Sequence, residues 1–359
     1  MAVKIIAEAG VNHNGDFDLA AQLVEAGAKA GADVIKFQTF QAHLVATANA
    51  EQAQYQKKNL QGNDSQLEML RKLELKKDCH WELKAQCESL GVEFMSTPFD
   101  RDSIRFLVDE LGVTSLKIPS GELTNGPLLL AFARSGCDLI LSTGMANSDE
   151  VERALALIGW GMTIPTRLPS GEQEFREAWH DELVRERLCD KITVLHCTSQ
   201  YPAPPETVNL RAMNTLSQQF GLPVGYSDHT AGISIPVAAA AKGAVVIEKH
   251  FTLDRNMTGP DHRASLEPME LTQMVAGVRS VELALGDGVK APHNCEKNTA
   301  DVARRSLVAA ESISAGKVFT HQNVVARRPG TGVSPMRYWD LIGTVAKRDY
   351  LAGELLESD

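Results

Sequence analysis

The sequence lacks several features that would place it in other protein classes. It has no apolar run of about 18 residues, so we expect no membrane-spanning segment. Its first residues, MAVKII, are predicted to enter a strand directly, without the apolar core and cleavage site of a signal peptide. There is no CxxC pair among the six cysteines. Scattered cysteines in a chain of 359 residues predict free thiols in a reducing compartment and a cytoplasmic protein.

An excess of positive charge is also missing. Lysine and arginine total 36 against 46 aspartates and glutamates, which gives a net charge of −10. This balance argues against nucleic acid or an anionic membrane as the main partner. An anionic small substrate stays open, because a few lysines in a pocket can bind phosphate within an acidic protein.

The chain length exceeds the usual limit of a single core, which predicts one large and one small domain. Eight β-rich runs alternate with helical stretches in the first 285 residues, at 3–8, 32–38, 91–96, 115–118, 138–141, 192–197, 223–226 and 244–249. Eight such units match the roughly 250-residue (β/α)8 TIM barrel. The rival is a doubly wound open sheet, but the Gly-rich fingerprint after its first strand is absent. We predict a barrel at 1–285, a linker at 286–299 and a small domain of short strands and turns at 300–359.

Two segments interrupt the barrel rhythm. Residues 41–75 form a long polar stretch rich in Gln and Asn, which predicts either a lid over the barrel mouth or a mobile surface excursion. Residues 159–190 form an insertion with two tryptophans, for which we predict packing against another helix or subunit and no chemical role.

Two histidines, His229 and His250, end neighbouring strand-like runs that are separated by an Ala-rich helical crossover. Two imidazoles aimed at one point would leave most coordination positions of a divalent metal open for substrate and water. The alternative is two unrelated polar residues at strand ends. Other polar residues also lie at or just past strand ends, which converge on the mouth of a barrel: Glu8, Lys36, Thr97, Lys117, Ser120, Ser142, Ser199 and Ser227.

Ordered motifs along nearly the whole chain resemble the sialic acid synthase family, which makes N-acetylneuraminate- or legionaminate-type nonulosonates and carries a C-terminal antifreeze-like (SAF) domain. The barrel motifs are IAEAGVNHNG at 6–15, VIKFQT at 34–39, STPF at 96–99, KIPSGE at 117–122, LSTGM at 141–145, HCT at 196–198, YSDHT at 226–230, EKHFT at 248–252 and GPD at 259–261. RRPG at 327–330 resembles the antifreeze-like domain. The resemblance implies condensation of phosphoenolpyruvate with an N-acetylated amino sugar to a nine-carbon 2-keto acid and phosphate, by C–C bond formation and C–O cleavage.

The resemblance also implies roles for individual residues. The catalytic set is Glu8 as acid or base, Lys117, and the metal ligands His229 and His250, with Mn²⁺ favoured and Mg²⁺ or Co²⁺ as alternatives. The substrate-binding set is Lys36, Asn63, Thr97, Lys117, Ser120, Ser142, Ser199, Tyr201, Ser227, Asp261 and Arg328. Glu248 would orient a ligand or a lysine. Arg328 of one subunit would reach the partner's barrel in a domain-swapped homodimer, whose substrates are phosphoenolpyruvate and the amino sugar.

Ser199 stands where some family members carry Asn, which leaves the acceptor open. N-acetylmannosamine is the favoured acceptor, and a diacetamido-dideoxy hexose with a legionaminate-type product is the alternative. A Schiff-base aldolase would instead use Lys117 or Lys36 as nucleophile without a metal. A non-catalytic carbohydrate-binding protein, with the tail as its sugar module, is the remaining alternative.

Overall fold

The computed structural model describes residues 2–60 and 64–357. The chain divides into two compact units, Met1–Gly286 and Asp287–Asp359. Asn63, one of the predicted sugar contacts, lies outside the described residues.

The first unit is a closed barrel of eight parallel strands, which confirms the predicted TIM barrel. The strands are β1 Lys4–Gly10, β2 Val34–Thr39, β3 Glu93–Pro98, β4 Ser115–Ile118, β5 Asp138–Ser142, β6 Ile192–Cys197, β7 Val224–Asp228 and β8 Val246–His250. Pairing of β1 with β8 closes the barrel and sets Glu8 opposite His250.

Helices follow the strands, and their apolar faces contribute to the core that surrounds the barrel. In this unit they are α1 Phe17–Lys29, α2 Ala42–Val45, α3 Gln54–Leu60, α4 Gln66–Leu73, α5 Lys77–Ser89, α6 Arg101–Arg105, α7 Gly126–Ala133, α8 Ser148–Thr163, α9 Glu172–Ala178, α10 Glu182–Lys191, α11 Ala212–Phe220, α12 Ser234–Ala241 and α13 Pro268–Leu285. Polar side chains cap the N-termini of several of these helices. Asp16 accepts from the backbone of Leu19 at α1, and Asn147 and Glu150 form a reciprocal capping box at α8.

The two interruptions are helical rather than irregular. The described part of 41–75 contains the short helices α2, α3 and α4, and the insertion consists of the end of α8 followed by α9 and α10. Trp160 and Trp179 of the insertion are both buried, and Trp179 packs edge-on against Phe220 of α11. The insertion therefore packs against helices of its own barrel unit.

The barrel interior is layered by the two-residue period of its strands. One level is apolar and is filled by Ile6, Val34, Met95, Ile140, Leu195 and Val246. Two residues further along five of the same strands come Glu8, Lys36, Thr97, Ser142 and Glu248. The polar side chains therefore lie one layer above an apolar plug, towards the carboxyl ends of the strands.

The second unit is small and has its own core. Its antiparallel pair is β9 Ser306–Ala309 and β10 Val324–Arg327, and its helices are α14 Lys297–Ala303 and α15 Tyr338–Leu341. Leu307, Ile313, Phe319, Val324 and Tyr350 belong to the core of this unit. Across residues 2–60 and 64–357, no helix is both long and apolar enough to cross a membrane.

Candidate active site

A cavity of about 820 Å³ opens at the carboxyl ends of the barrel strands. This volume lies within the range of small-molecule sites. The cavity brings together every barrel residue predicted from the sequence that the structure describes: Glu8, Lys36, Thr97, Lys117, Ser120, Ser142, Ser199, Tyr201, Ser227, His229, His250 and Asp261. Glu248 lines it as well. The individual roles assigned to these residues stay predictions.

Arg328 belongs to the second unit, where its side chain is exposed and its Nε donates to the carbonyl of Ala303 at 3.0 Å. Its predicted contact with a substrate in a partner's barrel therefore stays a prediction.

Two lysines and two carboxylates form a buried network on the cavity floor. Lys36 Nζ lies 2.5 Å from Glu8 Oε2 and 3.5 Å from Glu248 Oε2. Lys117 Nζ lies 3.0 Å from Glu248 Oε1, which also accepts from Ser227 Oγ at 2.7 Å. Because each charge has a partner of opposite sign, the cavity can hold four ionisable groups away from water.

The two carboxyl groups of this network differ in their affinity for protons. Burial is the main influence on Glu8 and raises its pKa, because Lys36 offsets only part of that effect and Glu248 adds to it. Burial also acts on Glu248, but Lys117 and Lys36 hold its pKa well below the ordinary range. Burial opposes charge on Lys36, yet Glu248 and Glu8 raise its pKa. The environment of the cavity therefore moves the pKa values of the two carboxyl groups in opposite directions, with Glu8 holding a proton more tightly than Glu248.

The two histidines are neutral, and their rings lie near each other in the lining of the cavity. Burial lowers the pKa of His229 to about 4, and burial followed by the charge of His229 lowers the pKa of His250 well below its ordinary value. His229 Nδ1 lies 2.7 Å from the carbonyl of Thr198. A carbonyl only accepts, so Nδ1 carries the proton and Nε2 keeps its lone pair. The ring centroids are 5.5 Å apart.

These rings fit the predicted divalent metal as a pair of nitrogen ligands. His250 Nδ1 is buried and, among the described residues, has no hydrogen-bond partner. Within the described part of the chain, no group of three His, Cys, Asp or Glu side chains is placed to hold a metal ion. A metal here would therefore take its remaining ligands from substrate and water, which matches an open catalytic site.

The segment that contains α2 to α4 forms one wall of the cavity. Tyr55 of α3 stacks on Tyr201 with ring centroids 4.9 Å apart. The ring centroids of Tyr201 and His229 are 4.1 Å apart. Asn59 Nδ2 donates to the carbonyl of Pro260 at 2.7 Å. The predicted lid segment thus contacts Tyr201, which packs against His229, and the loop that carries Asp261.

Asp261 lies on the loop after β8. Ser265 Oγ donates to its backbone carbonyl at 2.7 Å, and Asn14 Nδ2 donates to the nearby carbonyl of Thr258 at 2.9 Å. The side chain is buried, and burial, with a smaller contribution from Glu8, raises its pKa to about 7. Asp261 therefore holds a proton up to neutral pH and can donate a hydrogen bond into the cavity.

Gln38 and Tyr55 line the cavity but were not predicted from the sequence, and neither was the role of Gly144. Gln38 donates from Nε2 to Glu8 Oε1 at 3.3 Å. It follows Lys36 by two residues on β2, so strand alternation could have found it. Tyr55 had no local signal, because its position depends on how the lid segment packs. A Cβ atom at Gly144 would lie 2.2 Å from Ser199 Oγ, so this glycine leaves room for that side chain.

The barrel, its polar mouth and the second unit together define a two-domain synthase of the sialic acid type. The chain belongs to the NeuB family, which it matches over residues 23–290, and residues 304–359 match the SAF domain. Both matches confirm the resemblance that the sequence motifs showed.

Relatives support this assignment along the whole chain. The chain is 45% identical to the N,N'-diacetyllegionaminic acid synthase of Campylobacter jejuni, over 98% of both chains. It is 43% identical to the N,N'-diacetyllegionaminic acid synthase of Legionella pneumophila, over 99% of this chain and 94% of that protein. A solved structure of the N-acetylneuraminic acid synthetase from Leptospira borgpetersenii has a TM-score of 0.66 and 33% identity, over 83% of this chain and 90% of that one.

Proposed function

We propose that the protein condenses phosphoenolpyruvate with a diacetamido-dideoxy hexose to give a legionaminate-type nine-carbon 2-keto acid and phosphate. The cavity that carries this proposal has two unlike sides. Its floor is the network of Lys36, Lys117, Glu8 and Glu248. Another part of its lining, the apolar wall, is formed by Phe40, Met69, Leu73 and Phe99. N-acetylmannosamine, which the sequence favoured, is the second candidate acceptor.

The apolar wall supports the diacetamido acceptor. Phe40, Met69 and Leu73 are buried in one cluster and also line the cavity, with Phe99 against them. A second acetamido methyl group would contact such a wall, whereas the hydroxyl group that N-acetylmannosamine carries in its place would lose water there without a partner. The higher identity to the two legionaminate synthases than to the N-acetylneuraminic acid synthetase supports the same choice.

The polar floor supports phosphoenolpyruvate as the other substrate. Lys36 Nζ already donates to Thr97 Oγ1 at 3.0 Å, and both groups line the cavity. Ser142 Oγ is buried and lacks a hydrogen-bond partner among the residues the structure describes. Two ammonium groups and the unpartnered hydroxyl group of Ser142 suit a ligand with a phosphate and a carboxylate. We assign Lys36, Lys117, Thr97, Ser120, Ser142 and Ser227 to this ligand.

His229 and His250 would hold a divalent ion, for which we favour Mn²⁺ over Mg²⁺ or Co²⁺. When bound, the ion would polarise the open-chain aldehyde of the acceptor. The methylene carbon of phosphoenolpyruvate bonds to the aldehyde carbon, and the aldehyde oxygen takes up a proton for which Glu8 is the donor. Water then adds at C2 and loses a proton. The bond between C2 and the phosphate oxygen breaks, the phosphate leaves with that oxygen and takes up the remaining hydroxyl proton, and the C2 carbonyl forms. Ser199, Tyr201 and Asp261 would contact the acceptor.

The buried ion pairs argue against a Schiff-base aldolase. A nucleophilic lysine must be neutral, but Glu248 and Glu8 raise the pKa of Lys36 despite its burial. Lys117 is paired with Glu248 at 3.0 Å. Borohydride trapping with pyruvate separates the two functions, because only the aldolase forms a reducible imine.

The main test is a mass spectrum of the products from phosphoenolpyruvate and each acceptor, with and without a chelator. We expect a condensed acid and free phosphate only when both substrates and a divalent metal are present, with the diacetamido sugar preferred. Both His229→Ala and His250→Ala should fold and lose turnover. Full activity of either variant under strict chelation would contradict the metal assignment.

We also propose that the active unit is a cytoplasmic homodimer in which Arg328 of one subunit serves the partner's barrel. The six cysteines are all free, which supports a reducing compartment. Mixing Arg328→Ala with Glu8→Ala subunits should restore activity, because a mixed dimer has one intact site. No recovery despite measured subunit exchange would contradict the shared site.

A further inference from the structure

An ion pair lies directly behind the two histidines. Asp228 precedes His229 at the end of β7, and Lys249 precedes His250 at the end of β8. The two residues are register partners in the parallel ladder. Because alternate strand residues point to opposite faces, their side chains lie on the face away from the cavity that His229 and His250 line.

The pair is the centre of a closed hydrogen-bond network. Lys249 Nζ donates to Asp228 Oδ2 and to the carbonyl of Thr230. The other oxygen, Oδ1, accepts from Tyr226 Oη at 2.9 Å and from Thr230 N at 3.1 Å, and Thr230 Oγ1 donates to Oδ2 at 3.0 Å. Both charged side chains are 0% exposed. Every bond of this network joins residues that flank one of the two histidines or lie within three positions of it.

Stability alone is a weak reason for such a pair. Buried ion pairs can be replaced by apolar residues with little loss of stability, although removing one partner costs about 3–5 kcal/mol. What this pair supplies is geometry: it ties the end of β7 to the end of β8 at the level where both imidazoles leave the backbone. The residues on both sides of His229, Asp228 and Thr230, are bonded to the same ammonium group.

We propose that Asp228 and Lys249 are positioning residues that fix the relative placement of the His229 and His250 imidazoles. The inference rests on the proposed function only for the metal that the two rings would share. The placement of the rings is a property of the metal-free protein and can be measured separately.

The test uses the full-length double variant Asp228→Asn/Lys249→Met. It removes both charges together, and the Asn side chain keeps an oxygen for Tyr226 Oη and Thr230 N. The matched control is Asp138→Asn/Lys191→Met. This pair, 2.7 Å apart, joins the start of β5 to the residue before β6, at the far end of the barrel from the cavity.

The first measurement is Mn²⁺ affinity, from the electron paramagnetic resonance signal of the free ion. We expect the double variant to keep a melting temperature near that of the control and to bind Mn²⁺ at least about tenfold more weakly, which is the usual effect of losing groups that orient metal ligands. Affinity equal to that of the control would overturn the proposal.

The second measurement does not need the metal. Nitrogen-15 signals of the His229 and His250 rings, assigned with His→Gln variants, should shift in the metal-free double variant and stay in place in the control. Unchanged ring signals would overturn the positioning role. If the wild-type protein binds no Mn²⁺, the metal assignment fails, and the ring signals alone decide this inference. If the double variant does not fold, Tyr226→Phe takes its place, with shifted ring signals supporting the inference and unchanged signals overturning it.

Discussion

Asp261→Asn should change how the stability of the barrel depends on pH. Burial and the nearby Glu8 raise the pKa of Asp261 from an ordinary 3.8 to about 7. In the pH range between these values the unfolded chain has released the proton while the folded protein retains it. The contribution of this proton to stability is therefore complete below about pH 4 and is lost as the pH rises towards 7.

The size of the effect follows from the two pKa values. Each pKa unit corresponds to 1.36 kcal/mol, so the folded state loses about 4 kcal/mol of stability across this range. The Asn variant has no carboxyl group to ionise. Its unfolding free energy relative to the wild-type protein should thus increase by about 1.4 kcal/mol per pH unit between pH 4 and 7, and stay level above pH 7.

Urea denaturation of chelator-treated protein at several pH values in this range measures the difference. Tryptophan fluorescence, to which the buried Trp160 and Trp179 contribute, is the signal of barrel unfolding. Asp102→Asn is the matched control, because the Asp102 side chain on α6 is 59% exposed. Its difference from the wild type gives the baseline against which the change for Asp261→Asn is measured. If the difference in unfolding free energy between Asp261→Asn and the wild type is independent of pH, Asp261 is ionised in the folded protein over this range. That result would refute the reasoning.

Three further substitutions test the cavity. Gly144→Ala should keep the fold but displace Ser199, whose Oγ would lie 2.2 Å from the new Cβ, and should lower kcat/KM for both substrates in steady-state assays. Tyr55→Ala should raise the acceptor KM about 3- to 10-fold through loss of stacking on Tyr201, and should leave the KM for phosphoenolpyruvate near the wild-type value. Tyr55→Phe keeps the ring, so both KM values should stay near wild type. Glu248→Gln should lower the unfolding free energy in urea by about 3–5 kcal/mol at neutral pH, because two buried lysines lose a partner. Since the pKa of Glu248 is lowered, that loss should shrink as the pH falls below about 4.5 towards the folded-state pKa.

The sequence could predict the barrel and most of its mouth because both depend on local periodicity. Each strand is a short apolar run that ends in a polar residue, and parallel strands bring those ends together. Glu8, Lys36 and Ser142 each follow a plug residue by two positions, so the same alternation that builds the core also places the site. The structure continues β7 to Asp228 and β8 to His250, beyond the predicted ends.

The remaining features depend on packing between distant segments, which no local pattern contains. The short helices α2 to α4 lie in a stretch rich in Gln and Asn, and their positions are set by contacts such as Tyr55 on Tyr201. The proton on His229 Nδ1 is fixed by the carbonyl of Thr198, 31 residues away in the chain. The acceptor that we propose rests on the apolar wall, which combines Phe40 with side chains of α4.

The charge arrangement explains how one cavity can be stable without substrate and still bind a strongly anionic one. With all four groups ionised, Lys36 and Lys117 balance Glu8 and Glu248. A proton on Glu8, which its raised pKa favours, releases Lys36 from one of its two partners and leaves the floor with a net positive charge. Glu248 stays ionised and keeps contact with both lysines. In the mechanism that we propose, the proton that Glu8 supplies to the new alcohol would also be the proton that lets the two lysines attract phosphoenolpyruvate.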